Sequence, residues 1–280
     1  MEPKNLMALV FVALLVGVPG YSAWWKRQQE QAQREEQQQA ARAWREKAEA
    51  MFQERCKKAG VFIHRTADNV ESVFLLKLRP NSVNFRDQYK MDDPYGSDFG
   101  GDAYIKSFLW ARNEKGQLVG GNNGVTNGYR YVDAIDPKDG KRYRYTGSIK
   151  EVILTKHITM GGDGKTKFKS MEFVFDKVPA PDPAPRYGVT YEDISTREER
   201  DHWIAGSSLK VIDLKTNEVM AERIGYMMDR GWGSTSGGRS PWLFAADHAC
   251  PMFSPHHGSA FQARQTRNFV EEVLYTVPKK

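Results

Sequence analysis

Residues 207–227 read SSLKVIDLKTNEVMAERIGYM. The runs LKVIDL and VMAERIGYM are rich in apolar and β-branched residues spaced at a period near two. Lys215-Thr216-Asn217-Glu218 separates them. Asparagine tolerates a positive φ, so Asn217 suits the bend of a tight hairpin. The stretch predicts two antiparallel strands, Ser207–Leu214 and Val219–Met228.

The same grammar recurs upstream. Tyr129–Ile135 and Arg142–Tyr145 flank Asp136-Pro137-Lys138-Asp139-Gly140, and counting outward from that loop pairs Tyr131 with Tyr145. Glu151–Thr159 and Phe168–Phe175 flank the connection Gly161-Gly162-Asp163-Gly164. Val61–His64 and Val70–Leu78 complete the expected strands. Short helices are expected at Asp102–Arg112, Thr196–Trp203 and Ser259–Tyr275, the last with Phe261, Phe269, Val270 and Leu274 as its apolar side. Pro179–Pro185 reads as a stiff extended connector. Residues 59–280 are therefore expected to form an α+β soluble body, a mainly antiparallel sheet or sandwich with a few short helices.

The N-terminal segment follows different rules. Asn5–Trp25 carries no charge and centres on LMALVFVALLVGV. About 20 such residues in a helix span a hydrocarbon core of roughly 30 Å. Trp24 and Trp25, followed by Lys26 and Arg27, have the form of an interfacial belt with a charged stop. Residues 1–25 are thus expected to be a transmembrane anchor, with a cleaved signal peptide as the competing reading. Residues 26–58 lack Gly and Pro and are rich in Gln, Glu, Arg, Lys and Ala, which predicts a helical juxtamembrane stalk. Ala41, Trp44, Ala48, Met51 and Phe52 give its second half one apolar stripe. Either that stripe packs on the body or it forms a homodimer seam.

Charge narrows the partners. The chain has 280 residues and a formal charge of +6. Half of that excess belongs to the stalk, which holds nine Lys or Arg and six Glu. The body is close to balanced and has no basic stripe for phosphate contacts, which argues against nucleic acid. The expected partners are inner-membrane lipids and a protein or other cell-envelope component. Lys26, Arg27 and Arg34 outnumber Lys4, which taken alone favours a cytoplasmic body; cysteine usage favours the periplasm of a bacterium.

Catalytic signatures are missing. Thr159 stands where a phosphate-binding loop ending at Gly164-Lys165-Thr166 needs glycine, and Ser236 stands where a dinucleotide fingerprint starting at Gly231 needs one. The sequence has no Gly-x-Ser-x-Gly, His-Glu-x-x-His or Cys-x-x-Cys. What remains is a set of candidates. Asp247, His248, His256 and His257 carry the side chains of a zinc site, although Pro251 and Pro255 make their spacing irregular; no other cofactor is implied. Cys56 and Cys250 are one cysteine at each end of the body, which suits a bridge. The Gly231–Trp242 loop, with Trp232, Arg239 and Trp242, has the composition of a binding loop, as does Asp92–Asp102 with Tyr95 and Asp98. The aromatic residues between 85 and 145 either stabilise the sheet or offer a surface for a glycan strand or extended peptide.

The expectation is a single-pass, membrane-anchored bacterial protein that presents a non-catalytic binding domain. The alternatives are a membrane-tethered metal-dependent hydrolase using Asp247–His257 and a cytoplasm-facing regulatory or defence component.

Overall fold

The computed structural model describes residues 3–81, 86–89, 98–109, 111–112, 118–119, 128–156, 161–252 and 264–276. The chain divides into two units, residues 1–51 and residues 52–280.

A helix, α1 (Pro3–Cys56), supplies most of the first unit and enters the second. Its helix-forming composition explains its length. The glutamine-rich stretch is solvent-exposed, as a segment polar all round must be. Farther along, Trp44 is half-buried and Ala48 and Phe52 are buried, at the spacing of the expected stripe. Among the described residues no helix is long and apolar enough to cross a membrane. The side chains of residues 3–20, most of the uncharged stretch, lie outside those described.

The second unit is built on one mixed sheet rather than a sandwich. Its strands are β1 (Gly60–Ile63), β2 (Ser72–Leu75), β5 (Tyr131–Ile135), β6 (Arg142–Thr155), β7 (Lys167–Pro179), β8 (Tyr187–Asp193), β9 (Ile204–Asp213), β10 (Glu218–Met228) and β11 (Ala249–Cys250). The order is β1-β10-β9-β8-β2-β5-β6-β7, with β11 also on β10. Two antiparallel meanders, β5-β6-β7 and β8-β9-β10, flank β2. β2 runs parallel to both of its neighbours, and the other pairings of this sheet are antiparallel, which fits the expected mainly antiparallel sheet. A separate two-residue ladder joins β3 (Ala111–Arg112) and β4 (Leu118–Val119).

The connection from β2 to β5 carries α2 (Gly101–Leu109), as a parallel crossover requires. Tyr104, Ile105, Phe108 and Leu109 of α2 are buried in one core with Val73, Leu75, Val132, Val189, Tyr191 and Val211 of the sheet. Phe269 and Val270 of α5 (Gln265–Glu271) join the same core, as do Val273 and Leu274. Tyr275 then donates its N–H to Ala67 O at 2.8 Å, and Val70 donates back to Tyr275 O at 2.9 Å. The short α3 (Arg197–Asp201) is fixed by a capping box between Thr196 and Glu199. Arg55, at the end of α1, hydrogen-bonds and ion-pairs with that buried Glu199.

Two hairpins show how registers are set. In β9–β10 the turn residue Asn217 has φ 61°, the positive value expected of it. In β5–β6 the loop closes through Asp136 N donating to Lys141 O at 2.9 Å, so Lys141 belongs to the loop and Ile135 faces Arg142. Tyr145 therefore faces Val132 and not Tyr131. A slip of one residue exchanges faces: Tyr145 enters the core, while Tyr131 lies beneath the Arg144 guanidinium, 3.9 Å from its ring centroid.

The β6–β7 ribbon is longer than expected. β6 runs unbroken through Gly147 and Ser148, and thirteen residue pairs join it to β7. β5 pairs only with Arg142–Tyr145, so among the described residues the ribbon's far end pairs with no third strand.

Candidate functional site

The sequence candidates separate into structural and accessible groups. Cys56 and Cys250 form a disulfide spanning 194 residues. Cys250 lies opposite Tyr226 on β10, so the bridge ties the end of α1 to one edge of the sheet.

The Gly231–Trp242 loop is shaped from beneath by Asp229. Its fully buried carboxylate accepts from Gly231 N at 3.0 Å and Gly233 N at 2.8 Å, and it pairs with both Arg239 terminal nitrogens. That pairing also holds the Arg239 guanidinium above its ordinary pKa. Arg239 is therefore a tie that closes the loop. Trp242, the first turn of α4 (Pro241–Ala245), is 1% exposed and corrects the binding-loop expectation: its ring packs 5.3 Å from that of Trp203, beside Ala205 and Met227. The bulk of an indole at the start of a helix that closes over the sheet finds more area in the core than at the surface. Trp232, half-buried at φ 53°, and Phe244, 48% exposed, are the aromatic groups this region presents to solvent.

Asp98 is likewise a structural residue and not a contact. It accepts from Thr266 N at 2.9 Å and from Thr266 Oγ1 at 2.6 Å, and lies 3.5 Å from Arg79 Nε. Arg79 also donates to Thr266 Oγ1 at 3.0 Å and stacks 4.4 Å from the Tyr191 centroid. This buried cluster joins the end of β2 to the start of α5, and burial pushes the adjacent Tyr104 hydroxyl up to about 12. Tyr95, His256 and His257 lie outside the described residues. Asp247 and His248 sit in one short turn before β11, and among the described residues no group of three metal-ligating side chains converges.

Sequence reasoning did not single out a cleft of about 500 Å³ at the carboxyl ends of β2 and β5. Arg79, Asp102, Asp136, Lys138, Tyr145 and Lys177 line it, with the start of α2 on one wall. Ligands of sheets with parallel strands favour that location. Its residues come from four separated segments, so no local spacing announces it. Lys177 ion-pairs with Asp136 and sits 3.8 Å over the Tyr143 ring. The Lys177 contact, with Lys138 N donating to the same residue at 2.8 Å, holds the Asp136 carboxyl below the ordinary range. Asp136 thus serves as an ion-pair partner and not as a proton donor at neutral pH. Three cations, Arg79, Lys138 and Lys177, and two carboxylates, Asp102 and Asp136, make the cleft polar and nearly charge-balanced, which suits hydrogen bonding to a polar ligand.

Among the described aromatic residues between 85 and 145 most are covered, although Tyr89 is 42% exposed; Phe85, Tyr95 and Trp110 lie outside the described residues. Tyr104, Phe108, Tyr129 and Tyr145 are buried, and Tyr131 and Tyr143 are covered by cations. No protein-family model, curated protein or solved structure matches this chain.

Proposed function

We propose that this is a single-pass bacterial inner-membrane protein whose body acts as a non-catalytic binding module on the periplasmic side. The observation that carries the reading is the Cys56–Cys250 bridge, since such bonds persist in oxidising compartments. The uncharged Asn5–Trp25 stretch supports the anchor. The cleft at the ends of β2 and β5 is the place for a cell-envelope ligand, such as a glycan or extended peptide. A homodimer seam on the stalk would have to use its exposed part around Ala41 and Trp44, because Ala48 and Phe52 are already buried in the single chain.

The cytoplasm-facing reading is favoured by one observation, the cluster Lys26, Arg27 and Arg34 after the apolar run. A C-terminal alkaline phosphatase fusion separates the two. Active phosphatase with no free thiols in unreduced protein is expected; inactive phosphatase beside a fluorescent C-terminal fusion defeats the periplasmic reading.

A further inference from the structure

The distal β6–β7 ribbon combines features that the core does not need. Leu154 and Phe168 face each other across the ribbon and are 36% and 43% exposed. Ile153, on the opposite face, is 67% exposed. An isolated two-stranded ribbon is marginal in water and gains nothing from displaying such groups. Beside them stand four exposed lysines, Lys156, Lys165, Lys167 and Lys169.

Two acidic groups lie close by, and one of them is neutralised by a lysine. Asp163 accepts from Lys165 N at 2.9 Å, from Thr166 N at 2.6 Å and from the Thr166 hydroxyl. It therefore fixes the turn. Glu151 pairs with Lys169 at 2.9 Å, which leaves Lys156, Lys165 and Lys167 in excess over the Asp163 carboxylate beside these apolar side chains. Lysines bordering exposed aliphatic and aromatic side chains match the chemistry of a bilayer interface: rings and methyl groups enter the acyl boundary while ammonium groups meet anionic headgroups. A nucleic acid would use the lysines but not Ile153 or Leu154.

We infer that the distal β6–β7 ribbon, through residues 153–156 and 165–169, is a docking surface for an anionic lipid bilayer. The inference rests on the ribbon alone and does not use the N-terminal segment.

Full-length protein is placed in discs of phosphatidylcholine only and mixed with separate vesicles, either of phosphatidylcholine or of phosphatidylcholine with phosphatidylglycerol. Flotation with the phosphatidylglycerol vesicles alone is expected. Lys165→Gln with Lys167→Gln should weaken it by about tenfold or more, and Leu154→Asp with Phe168→Asp should abolish it. Each variant is checked for an unchanged melting transition, because all four side chains are exposed. No flotation of the wild type, equal flotation with both vesicle types, flotation of the Asp variant like wild type, or an equally tight, lysine-dependent association with single-stranded DNA each overturns the inference. Failure of the chain to enter the discs counts against the membrane anchor alone; the chain is then mixed with the vesicles directly.

Discussion

Gly60 and Cys250 lie on the same edge of β10, opposite Ile224 and Tyr226, with only Gly225 between those two partners. β11 and β1 thus continue one another along that edge, though 186 positions separate Ile63 from Ala249 in the chain. The Cys56–Cys250 bridge adds a covalent tie to the β10 ladders that hold the two pieces in series. Cys56→Ser with Cys250→Ser should lower stability by about 2–4 kcal/mol, the usual effect of opening a long loop. Denaturant unfolding of the variant against oxidised wild type measures it, and hydrogen exchange should place the loss at β1 and β11 first.

Asp229 is fully buried and satisfied by two loop N–H groups and Arg239. Asp229→Ala leaves Arg239 without its buried partner and should destabilise the protein by about 3 kcal/mol. Limited proteolysis should find new cleavage between Gly231 and Arg239, while Arg239→Lys, a weaker fork, should give a smaller effect.

Asp213 couples stability to pH. Hydrogen bonds from Arg186, aided by Lys215 N and Arg65, lower its pKa to about 2 from the ordinary 3.8. A depressed carboxyl stabilises the fold above its unfolded value and loses that contribution as pH falls toward the folded one. The stability gap between wild type and Asp213→Asn should be full above pH 4 and close as the pH approaches 2. Urea midpoints over that interval test the sign; a constant gap would contradict it.

Gly147 explains why β6 does not break. A β-carbon there would sit 2.1 Å from the Phe173 ring, which crosses the backbone at that point. Gly147→Ala should displace Phe173 and cost about 1–3 kcal/mol. Phe173→Leu should relieve the clash, so the double variant should be more stable than the sum of the single effects requires.

Local chemistry was legible and long-range pairing was not. Asn217, the Thr196 helix start and the cysteine pair followed from neighbouring residues or simple counting. Gly147-Ser148 looks like a break between two strands in the sequence, and β6 runs through it because the Phe173 ring needs that space. The polar residues and upstream prolines of β8 (YGVTYED) hide a central strand, where Gly188 admits Leu76 and Leu214. The register of Tyr145 turned on whether Lys141 belonged to the loop. The cleft was unreadable because its walls come from β2, α2 and β5–β7.

The position of β2 puts a long-range join in the middle of the sheet. Four residues, Ser72–Leu75, emerge before either meander, yet their partners are β5 and the still later β8. Each meander can form from short-range contacts, whereas the join between them waits for distant segments and is slow for that reason. Until β2 is seated, both halves show a bare edge to other chains. Substitutions in Ser72–Leu75 should therefore lower the yield of correctly folded protein more than their effect on final stability suggests.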